Sequence, residues 1–487
     1  MAKKQPYTKT SAYSVYSVVK KHATEKIAIR VNIRDFGAIG DGVALDSPAI
    51  NAAIAAATAD GYGEVIIPPG IYRCGSIDLV DNLTLQLEAG AVIRGSRDIN
   101  DYHEDRYAFN GKAAEGQFLR HYLLGAFNRR NVIITGDGVI DGSGDAFWDP
   151  NNICTDGKPL EAAKSSCVAY YRVLKPVNPR PVVVYFWRCQ NVTVRQVRII
   201  NSPSYTVWPV GCDGVCLDNL TIRNPRHGPN TDALDIDCSS NVIISNCDID
   251  AGDDCIALKS DTSRLGEDKP CERVVVTNCI LSASACAIRL GYEGDGIIRD
   301  CAFSNLAIHN AKNAIDMLSL TPVKRSDFKR GTPIESIAFS NIVMRNVARP
   351  FFIWAGTESG SPNPYQAHVR GLTFSAMEIH TISGSFIGSL DGAAITDVTL
   401  RDIRLHLQDH VYFQDVVPVE YPNIWASGFM PDALRLHRVD NAVLDQVAIR
   451  ITPLPGRSAP YGHCLRWSQV NNFSRDGAQL PANGTML

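Results

Sequence analysis

Residues 227–261 read HGPNTDALDIDCSSNVIISNCDIDAGDDCIALKSD, and this stretch contains an internal repeat that indicates the architecture of the chain. Two short strand-like runs, Leu234–Asp237 and Cys255–Lys259, each follow a turn and then acidic residues. The second run repeats the first after 22 residues, and the same shift carries Asp232 onto Asp254. Two parallel strands one coil apart would place these carboxyl groups about 4.8 Å apart, the spacing of neighbouring strands.

The acidic residues in front of the two runs, Asp232, Asp253 and Asp254, are the candidate catalytic residues. Like charges at this spacing cannot all ionise freely, so we expect the pKa of at least one carboxyl group to be raised. A protonated acid beside an ionised base is what hydrolysis of a glycosidic bond requires. Asn, Asp and Gly are also common in turns, but three aspartates at the spacing of one coil favour a catalytic role.

One pattern recurs along the chain: a small or polar residue followed by a tetrad in which hydrophobic residues alternate. Its copies begin at Asn131, Asn191, Gly214, Asn241, Arg273, Ser336, Gly371, Asp397 and Asn441. Intervals such as 23 residues from 191 to 214 and 27 from 214 to 241 suit one coil of a solenoid. The corners are too short for the crossover helices of a βαβ sheet. The sequence therefore predicts an all-β fold, a right-handed parallel β-helix.

We expect a single β-helix domain over residues 29–487. Residues 29–75 form its N-terminal cap and include an alanine-rich helix over 47–58, which starts with Ser and Pro. Residues 454–487, rich in Pro and Gly, form a C-terminal tail. Residues 1–28 are a basic, polar extension without the apolar run of a secretory signal. The localisation therefore stays open between the cytoplasm and export with a signal that has been removed.

Composition limits the partners. A net charge of −3 gives no case for nucleic-acid binding, and no run approaches the ~18 apolar residues needed to cross a membrane. The 14 cysteines include no CxxC pair, so zinc is not expected, and no cofactor is expected either. Solenoids with capped ends are often monomers, which slightly favours a monomer here.

Two segments, residues 102–123 and 144–180, interrupt the repeat. Their aromatic and histidine residues include Tyr102, His103, Tyr107, Phe109, Phe147, Trp148, Tyr170 and Tyr171. Long loops in a compact protein are usually functional or disordered. Two interpretations stay open: the rings stack on sugars above a groove, or each loop covers a small cluster of its own.

Over nearly its whole length the chain resembles the polygalacturonase-type enzymes of glycoside hydrolase family 28. The resemblance rests on DFGAIGDG at 35–42, ITGDGVIDGSGDAFW at 134–148 and, above all, GPNTDALDID at 228–237 with GDDCIALKSD at 252–261. It implies a carbohydrate substrate and an inverting mechanism. Carboxyl groups one strand apart are closer to the ~5 Å of retaining enzymes than to the roughly 6.5–9.5 Å of inverting ones, but we follow the family.

The resemblance also implies roles for individual residues. Asp253 corresponds to the general acid, while Asp232 and Asp254 correspond to the residues that position and deprotonate the attacking water. Candidate substrate-binding residues are His227, Asn230, Lys259, Cys286, Arg289, Glu293 and Asp316.

The chain departs from the family at two further motifs. Where the family usually has Gly-His-Gly and then Arg-Ile-Lys, the matching segments read Ala-Cys-Ala at 285–287 and Asp-Met-Leu at 316–318. The register places Cys286 in the column of Asp232 and Asp254. An acid and a leucine thus replace the cations that hold a galacturonate carboxylate. This argues against plain polygalacturonan and for a pectin-related substrate with a neutral sugar, such as rhamnose, at the cleaved position.

The role of Arg289 stays open. The register sets Asp316 beside it, so Arg289 is either a relocated anion anchor or a structural partner of Asp316 on the outer face.

Two alternatives to a hydrolase also stay open. A β-helix polysaccharide lyase would use Lys259 or Arg289 as its base, with calcium held by the aspartates, which offer hard oxygen ligands. A non-catalytic, tailspike-like β-helix would only bind carbohydrate. An all-acid centre fits hydrolysis better than either alternative.

Overall fold

The computed structural model describes residues 29–104, 121–153, 174–323, 325, 327–391, 395–411 and 430–487. Within these residues the chain winds into a right-handed parallel β-helix, as the sequence predicts, and each coil contributes strands to three faces. The proposed extension over residues 1–28 lies outside the described residues.

Two of the three faces belong to one large sheet. In the early coils each face has its own parallel ladder, and from residue 271 onwards single bent strands run across both faces. The strands of the first ladder are Ile29–Asn32, Gly63–Ile67, Leu83–Leu87, Arg130–Gly136, Gln190–Arg195, Asp213–Asp218 and Ser240–Ser245. Those of the second are Asp41–Leu45, Gly70–Cys74, Ala91–Gly95, Val139–Asp141, Arg198–Ile200, Thr221–Arg223 and Asp248–Ala251. The bent strands are Cys271–Ala283, Ile298–His309, Ile334–Val347, Val369–Thr381, Ile395–Gln408 and Val439–Thr452.

The third face, called the site sheet below, carries the candidate catalytic residues next to its middle strands. Its strands are Ile77–Asp78, His121–Phe127, Pro181–Trp187, Val207–Val210, Leu234–Asp237, Ile256–Ser260, Cys286–Gly294, Asn313–Thr321, Arg349–Thr357, Ser385–Ser389, Leu434–His437, Leu465–Ser468 and Gly484–Met486. All pair in parallel except the last, which turns back against Leu465–Ser468.

The repeated tetrads have a common structural cause. The residue that starts each tetrad has a positive φ, between +53° and +73° in all nine copies. This left-handed conformation is open to Gly and tolerated by Asn and Asp, which explains the composition of the corner. Asparagines on successive coils also bond to each other, as between Asn131 Nδ2 and Asn82 Oδ1 at 2.8 Å. The corner residue therefore sets where each coil turns.

An α-helix over Ser47–Thr58 packs at the N-terminal end, where the sequence predicts it. Its buried residues Ile50, Ala53, Ile54 and Ala57 recur at intervals of three or four and face the first coils. Short helical segments elsewhere are Ile33–Phe36, Ile99–Asp101, Gly144–Phe147 and Thr262–Leu265.

The interior is a continuous apolar core in which like residues stack from coil to coil. The rings of Phe303, Phe339 and Phe374 lie 4.6 Å and 5.3 Å apart. Cys247 and Cys279 occupy equivalent buried positions and, like every described cysteine, are free thiols. Each fully buried aromatic or aliphatic side chain stabilises the fold by about 1.5–3 kcal/mol, so the coil-to-coil repetition of the core maintains the register of the site sheet.

The C-terminal residues end the solenoid with antiparallel strands. Phe473–Arg475 pairs with Ala478–Leu480, and Gly484–Met486 covers Leu465–Ser468. Such pairing covers the last strands, which would otherwise expose backbone donors and acceptors. A separate strand pair, Trp148–Ile153 with Leu174–Pro176, lies beside the coils.

Membrane-spanning length is not reached by any helix in the part of the chain that the structure describes.

The aromatic residues of the interrupting segments that the structure describes favour the second of the two interpretations. Tyr102 and Phe147 are buried edge to face, 6.4 Å between ring centroids, and the Tyr102 hydroxyl donates to the Ser96 carbonyl at 2.7 Å. Trp148 is buried and donates from Nε1 to the Pro203 carbonyl. These rings pack against the coils. The remaining ones, Tyr107, Phe109, Tyr170 and Tyr171, lie outside the described residues.

Candidate active site

The three candidate catalytic aspartates lie together at the start of two neighbouring strands of the site sheet. Leu234 pairs with Ile256, so the observed register has the 22-residue shift read from the sequence. One oxygen from each of Asp232, Asp253 and Asp254 lies within 4.8 Å of the other two, and all three residues are buried. The geometry thus forms one compact carboxyl cluster, called the aspartate cluster below.

The backbone around the cluster is held by bonds between coils. The Ala233 amide donates to the Asp254 carbonyl at 2.8 Å, and the Cys286 amide donates to the Asp254 carboxylate at 3.0 Å. Gly252 is required by close approach, since a Cβ there would lie 2.2 Å from Thr231 Oγ1. These contacts fix the turn that presents the carboxyl groups.

Lys259 is the first of two buried cations in the site. Its Nζ lies 2.7 Å from Asp235 Oδ1, 2.8 Å from Glu293 Oε2 and 3.5 Å from Asp232 Oδ2. It also lies 4.1 Å from the centre of the Tyr205 ring, a cation–π contact. Lys259 therefore links the aspartate cluster to two further carboxyl groups.

These carboxyl groups differ in protonation. Burial, together with the charge of Asp232, raises the pKa of Asp235 well above its usual range despite Lys259. Burial also acts on Glu293, but Lys259 and Arg325 outweigh it and lower its pKa to about 2. Burial would lower the pKa of Lys259, yet Asp235, Glu293 and its other acidic neighbours raise it well above the usual range. At neutral pH the site therefore contains a protonated Asp235 between a charged Lys259 and the aspartate cluster.

Arg289 is the second buried cation. Its Nε lies 3.2 Å from Asp254 Oδ2 and 3.6 Å from Asp316 Oδ1, and its Nη2 donates to Cys286 Sγ at 3.0 Å. Asn313 Nδ2 holds the other Asp316 oxygen at 2.5 Å. The expected register is present, with Arg289 opposite Asp316 and Cys286 in the column of Asp254. The Arg289–Asp316 pair thus lies against the aspartate cluster, not apart from it.

Asn230 and His227 lie on the connection that leads into Asp232. Asn230 has a φ of +53°, and its Oδ1 accepts from Arg180 Nη2 at 2.8 Å. The ring of His227 meets Trp148 edge to face at 5.8 Å. Both residues thus shape this connection, and their role in substrate binding remains a prediction.

The sequence interpretation missed Asp235, which is fully buried beside the cluster. The alternation of Leu234-Asp-Ile-Asp contained the signal, since Leu234 and Ile236 face the core and Asp235 must then face outwards.

Lys312 and Arg349 were also missed. Arg349 continues the column of Asp254 through Cys286 and Asn313, and a longer run of the same register would have found it.

Aromatic residues on the same sheet flank the site on both sides. On the N-terminal side Tyr185 and Trp208 stack at 4.8 Å, and on the C-terminal side Trp354 and Phe386 stack at 4.3 Å. Their rings are almost fully buried. They pack the coils on either side of the charged residues and limit their movement.

The aspartate cluster is also the place where a metal ion would find three carboxyl ligands. Hard cations such as Ca²⁺ prefer oxygen ligands of this kind. Here, however, Lys259 Nζ and Arg289 Nε lie 3.5 Å and 3.2 Å from two of the three carboxyl groups. The chain's own cations therefore supply the positive charge.

Comparison with known proteins agrees with the fold and with these motifs. The profile of glycosyl hydrolases family 28 matches residues 104–407, and that of rhamnogalacturonase A/epimerase, pectate lyase-like, matches residues 30–156. A probable polygalacturonase from Vitis vinifera is 26% identical over 390 residues, which are 77% of this chain and 73% of that protein. The chain spans about three fifths to two thirds of the length of several other polygalacturonase relatives.

Two solved structures share the fold. An exopolygalacturonase from Thermotoga maritima has a TM-score of 0.63 at 20% identity, with 94% of this chain and 95% of that chain covered. A family 28 exopolygalacturonase from Yersinia enterocolitica has a TM-score of 0.69 at 20% identity, with 93% and 79% covered. The resemblance noted from the sequence is confirmed, because the family profile covers more than half of the chain: it belongs to glycosyl hydrolase family 28 and is a glycosidase.

Proposed function

We propose that this glycosidase hydrolyses a pectin-related poly- or oligosaccharide by inversion, and that the reacting sugar is neutral. The observation that carries the proposal is the aspartate cluster, with one oxygen of each of three buried carboxyl groups within 4.8 Å of the others. Its occurrence in a family of polygalacturonases supports a pectin-related substrate.

In this mechanism Asp253 protonates the leaving oxygen, and Asp232 and Asp254 orient and deprotonate the water. The contacts support this division. Lys259 lies beside Asp232, and Arg289 lies beside Asp254, so each of these two carboxylates has a cation that stabilises negative charge. A group that accepts a proton from water needs such a charge-stabilising environment before the reaction starts.

The distances within the cluster leave the stereochemistry to experiment. The closest oxygens are nearer to the ~5 Å separation of retaining enzymes than to the roughly 6.5–9.5 Å of inverting ones. The separation of single oxygen atoms does not fix the two faces from which acid and base act. We therefore keep inversion, which the family resemblance implies.

A lyase mechanism is disfavoured by the state of the basic residues. Lys259 contacts three carboxyl groups, and its pKa is raised well above the usual range by its acidic neighbours, although burial opposes them. A lysine that holds its proton this firmly cannot abstract one from carbon. Arg289 is similarly held between Asp254 and Asp316.

The charge balance supports a neutral reacting sugar. Five carboxyl groups, Asp232, Asp235, Glu293, Asp254 and Asp316, contact only two cations among the described residues of the site. The carboxyl group of Asp253 adds to them. An ionised sugar carboxylate brought here would leave water without a free cation to pair with, at a cost of several kcal/mol.

A panel of pectic substrates tests the proposal. New reducing ends without an ultraviolet-absorbing product mean hydrolysis, an unsaturated product means a lyase, and no product with retained binding means a carbohydrate-binding protein. Proton NMR of the first product formed then reports its anomeric configuration, and a product with the configuration of the substrate would remove inversion from the proposal.

A further inference from the structure

Arg349 lies beyond the aspartate cluster and has an unused donor. It occupies the column of Asp254, three coils further on, and only 3% of the residue is exposed. Its guanidinium carbon lies 4.2 Å from the centre of the Phe352 ring. Among the described residues, its buried Nη1 has no hydrogen-bond partner. A buried cation without a partner for its N–H group costs free energy, which an anion at this place would recover.

Lys312 places a second cation at the same position. The Arg349 amide donates to the Lys312 carbonyl at 2.8 Å, so the two residues lie on adjacent coils. Burial lowers the pKa of Lys312 to about 8, and the positive charge of Arg349 lowers it further. Two cations that destabilise each other's charge create a site that favours a negative ligand.

Two unused acceptors lie beside these donors. Asn313 Oδ1 and Asp316 Oδ1 are buried and have no hydrogen-bond partner among the described residues. Both belong to the coil between Cys286 and Arg349. A ligand that satisfies the whole group must therefore offer hydroxyl donors as well as an anionic acceptor, which a sugar acid does and an inorganic anion does not.

We propose that Arg349 and Lys312 bind the carboxylate of an acidic sugar next to the cleaved bond, while Asn313 and Asp316 accept from its hydroxyl groups. This rests on the proposed function. The column places the Arg349 backbone three strand spacings, ~14 Å, from that of Asp254, and the arginine side chain covers part of this distance, since its charge interacts with those of Asp316 and Arg289. A neutral sugar at the aspartate cluster and an acidic one beside it define a substrate in which the two alternate.

The test measures binding with the Asp253→Asn variant, so that no ligand is consumed. Calorimetry compares an oligosaccharide of alternating rhamnose and galacturonic acid with the same oligosaccharide after reduction of its carboxyl groups. We expect the acidic form to bind roughly 10- to 100-fold more tightly, the value of one charge-assisted hydrogen bond. Adding Arg349→Met should bring the ratio of the two dissociation constants close to one.

The control is Arg401→Met, which removes an exposed arginine paired with Asp445 at 3.0 Å and should keep the full ratio. Equal binding of both oligosaccharides by the parent variant overturns the inference, even if Arg349→Met does not fold. A ratio that survives in a folded Arg349→Met protein overturns it as well. If the parent discriminates but the active enzyme cleaves neither oligosaccharide, the proposed reaction fails and the carboxylate site stands.

Discussion

The guanidinium of Arg289 lies 3.2 Å from the Asp254 carboxylate, and the same nitrogen lies 3.6 Å from Asp316. Two roles were open for Arg289 from the sequence, an anchor for substrate and a structural partner of Asp316. The contacts join the second role to catalysis, because the partner of Asp316 is also the cation beside a candidate catalytic residue. A change at position 316 is therefore expected to alter the environment of Asp254 through Arg289.

Replacing Arg289 by Met should destabilise the protein by about 3–5 kcal/mol, the cost of leaving buried charges without their partner. Arg289 is 13% exposed and Asp316 1% exposed in their side chains, so water compensates little. Chemical unfolding of the variant and the parent protein measures the difference.

The double variant Arg289→Met/Asp316→Asn provides the control for this prediction. It removes one of the two uncompensated carboxylates, so its loss should be smaller than that of Arg289→Met alone. A double variant as unstable as the sum of the two single variants would mean that the pair is not coupled.

Replacing Asp253 by Asn should reduce kcat by ~10²–10⁴-fold, the usual contribution of a general acid. The dissociation constant for substrate should change little, because the amide has the same size as the carboxyl group. The matched control is Asp445→Asn, an exposed aspartate that pairs with Arg401 on the large sheet. Near-normal turnover by Asp253→Asn would assign the acid to another residue, and Glu293 is unsuited because its pKa is about 2.

The position of the aspartate cluster could be predicted from the sequence because strand pairing is strictly periodic there. Leu234 pairs with Ile256 and Asp232 precedes it by the same two residues as Asp254 precedes Ile256, so a count of 22 residues is sufficient. The corner residues with positive φ keep this count regular. The fold and the cluster follow from local rules that each coil obeys.

The partners of Lys259 could not be predicted in this way, because the register shifts at the next strand. Leu258 pairs with Leu290, but Ser260 pairs with Gly294, so Glu293 comes to lie opposite Lys259. Gly291 and Tyr292 take positive φ values of +81° and +68° within this irregularity. A regular count would have placed Gly291 there. Bulges of this kind re-aim side chains and leave no simple periodic signal.

Replacing Glu293 by Gln should destabilise the protein by about 3 kcal/mol at pH 7, from a pKa near 2 in the folded state against an ordinary value of about 4.3. Because the folded-state pKa is lowered, this stability is fully present above the ordinary pKa and is lost as the pH falls towards 2. The gap in unfolding free energy between Glu293→Gln and the parent protein should therefore narrow from about pH 4.5 downwards.

Glu267→Gln is the control for this pH dependence, since Glu267 forms an exposed ion pair with Arg188. Exposed pairs contribute about 0–1 kcal/mol, so its gap should stay small at every pH. A constant gap for Glu293→Gln between pH 7 and pH 3 would show that the Glu293 charge does not stabilise the fold.

Polygalacturonic acid should be a poor substrate, with kcat/KM at least ~10-fold below that for an oligosaccharide of alternating neutral and acidic sugars. In polygalacturonic acid every sugar carries a carboxylate, so one must enter beside Asp254 and Asp316, where Arg289 already contacts both. The unpaired charge costs several kcal/mol. Replacing Asp316 by Asn removes one negative charge and releases Arg289 from one partner, so this variant should gain activity on polygalacturonic acid relative to the alternating substrate. Reducing-end assays on both substrates measure the ratio. Efficient release of galacturonate by the unmodified protein would show that Arg289 accepts a sugar carboxylate despite Asp316, and the reacting sugar would then be acidic.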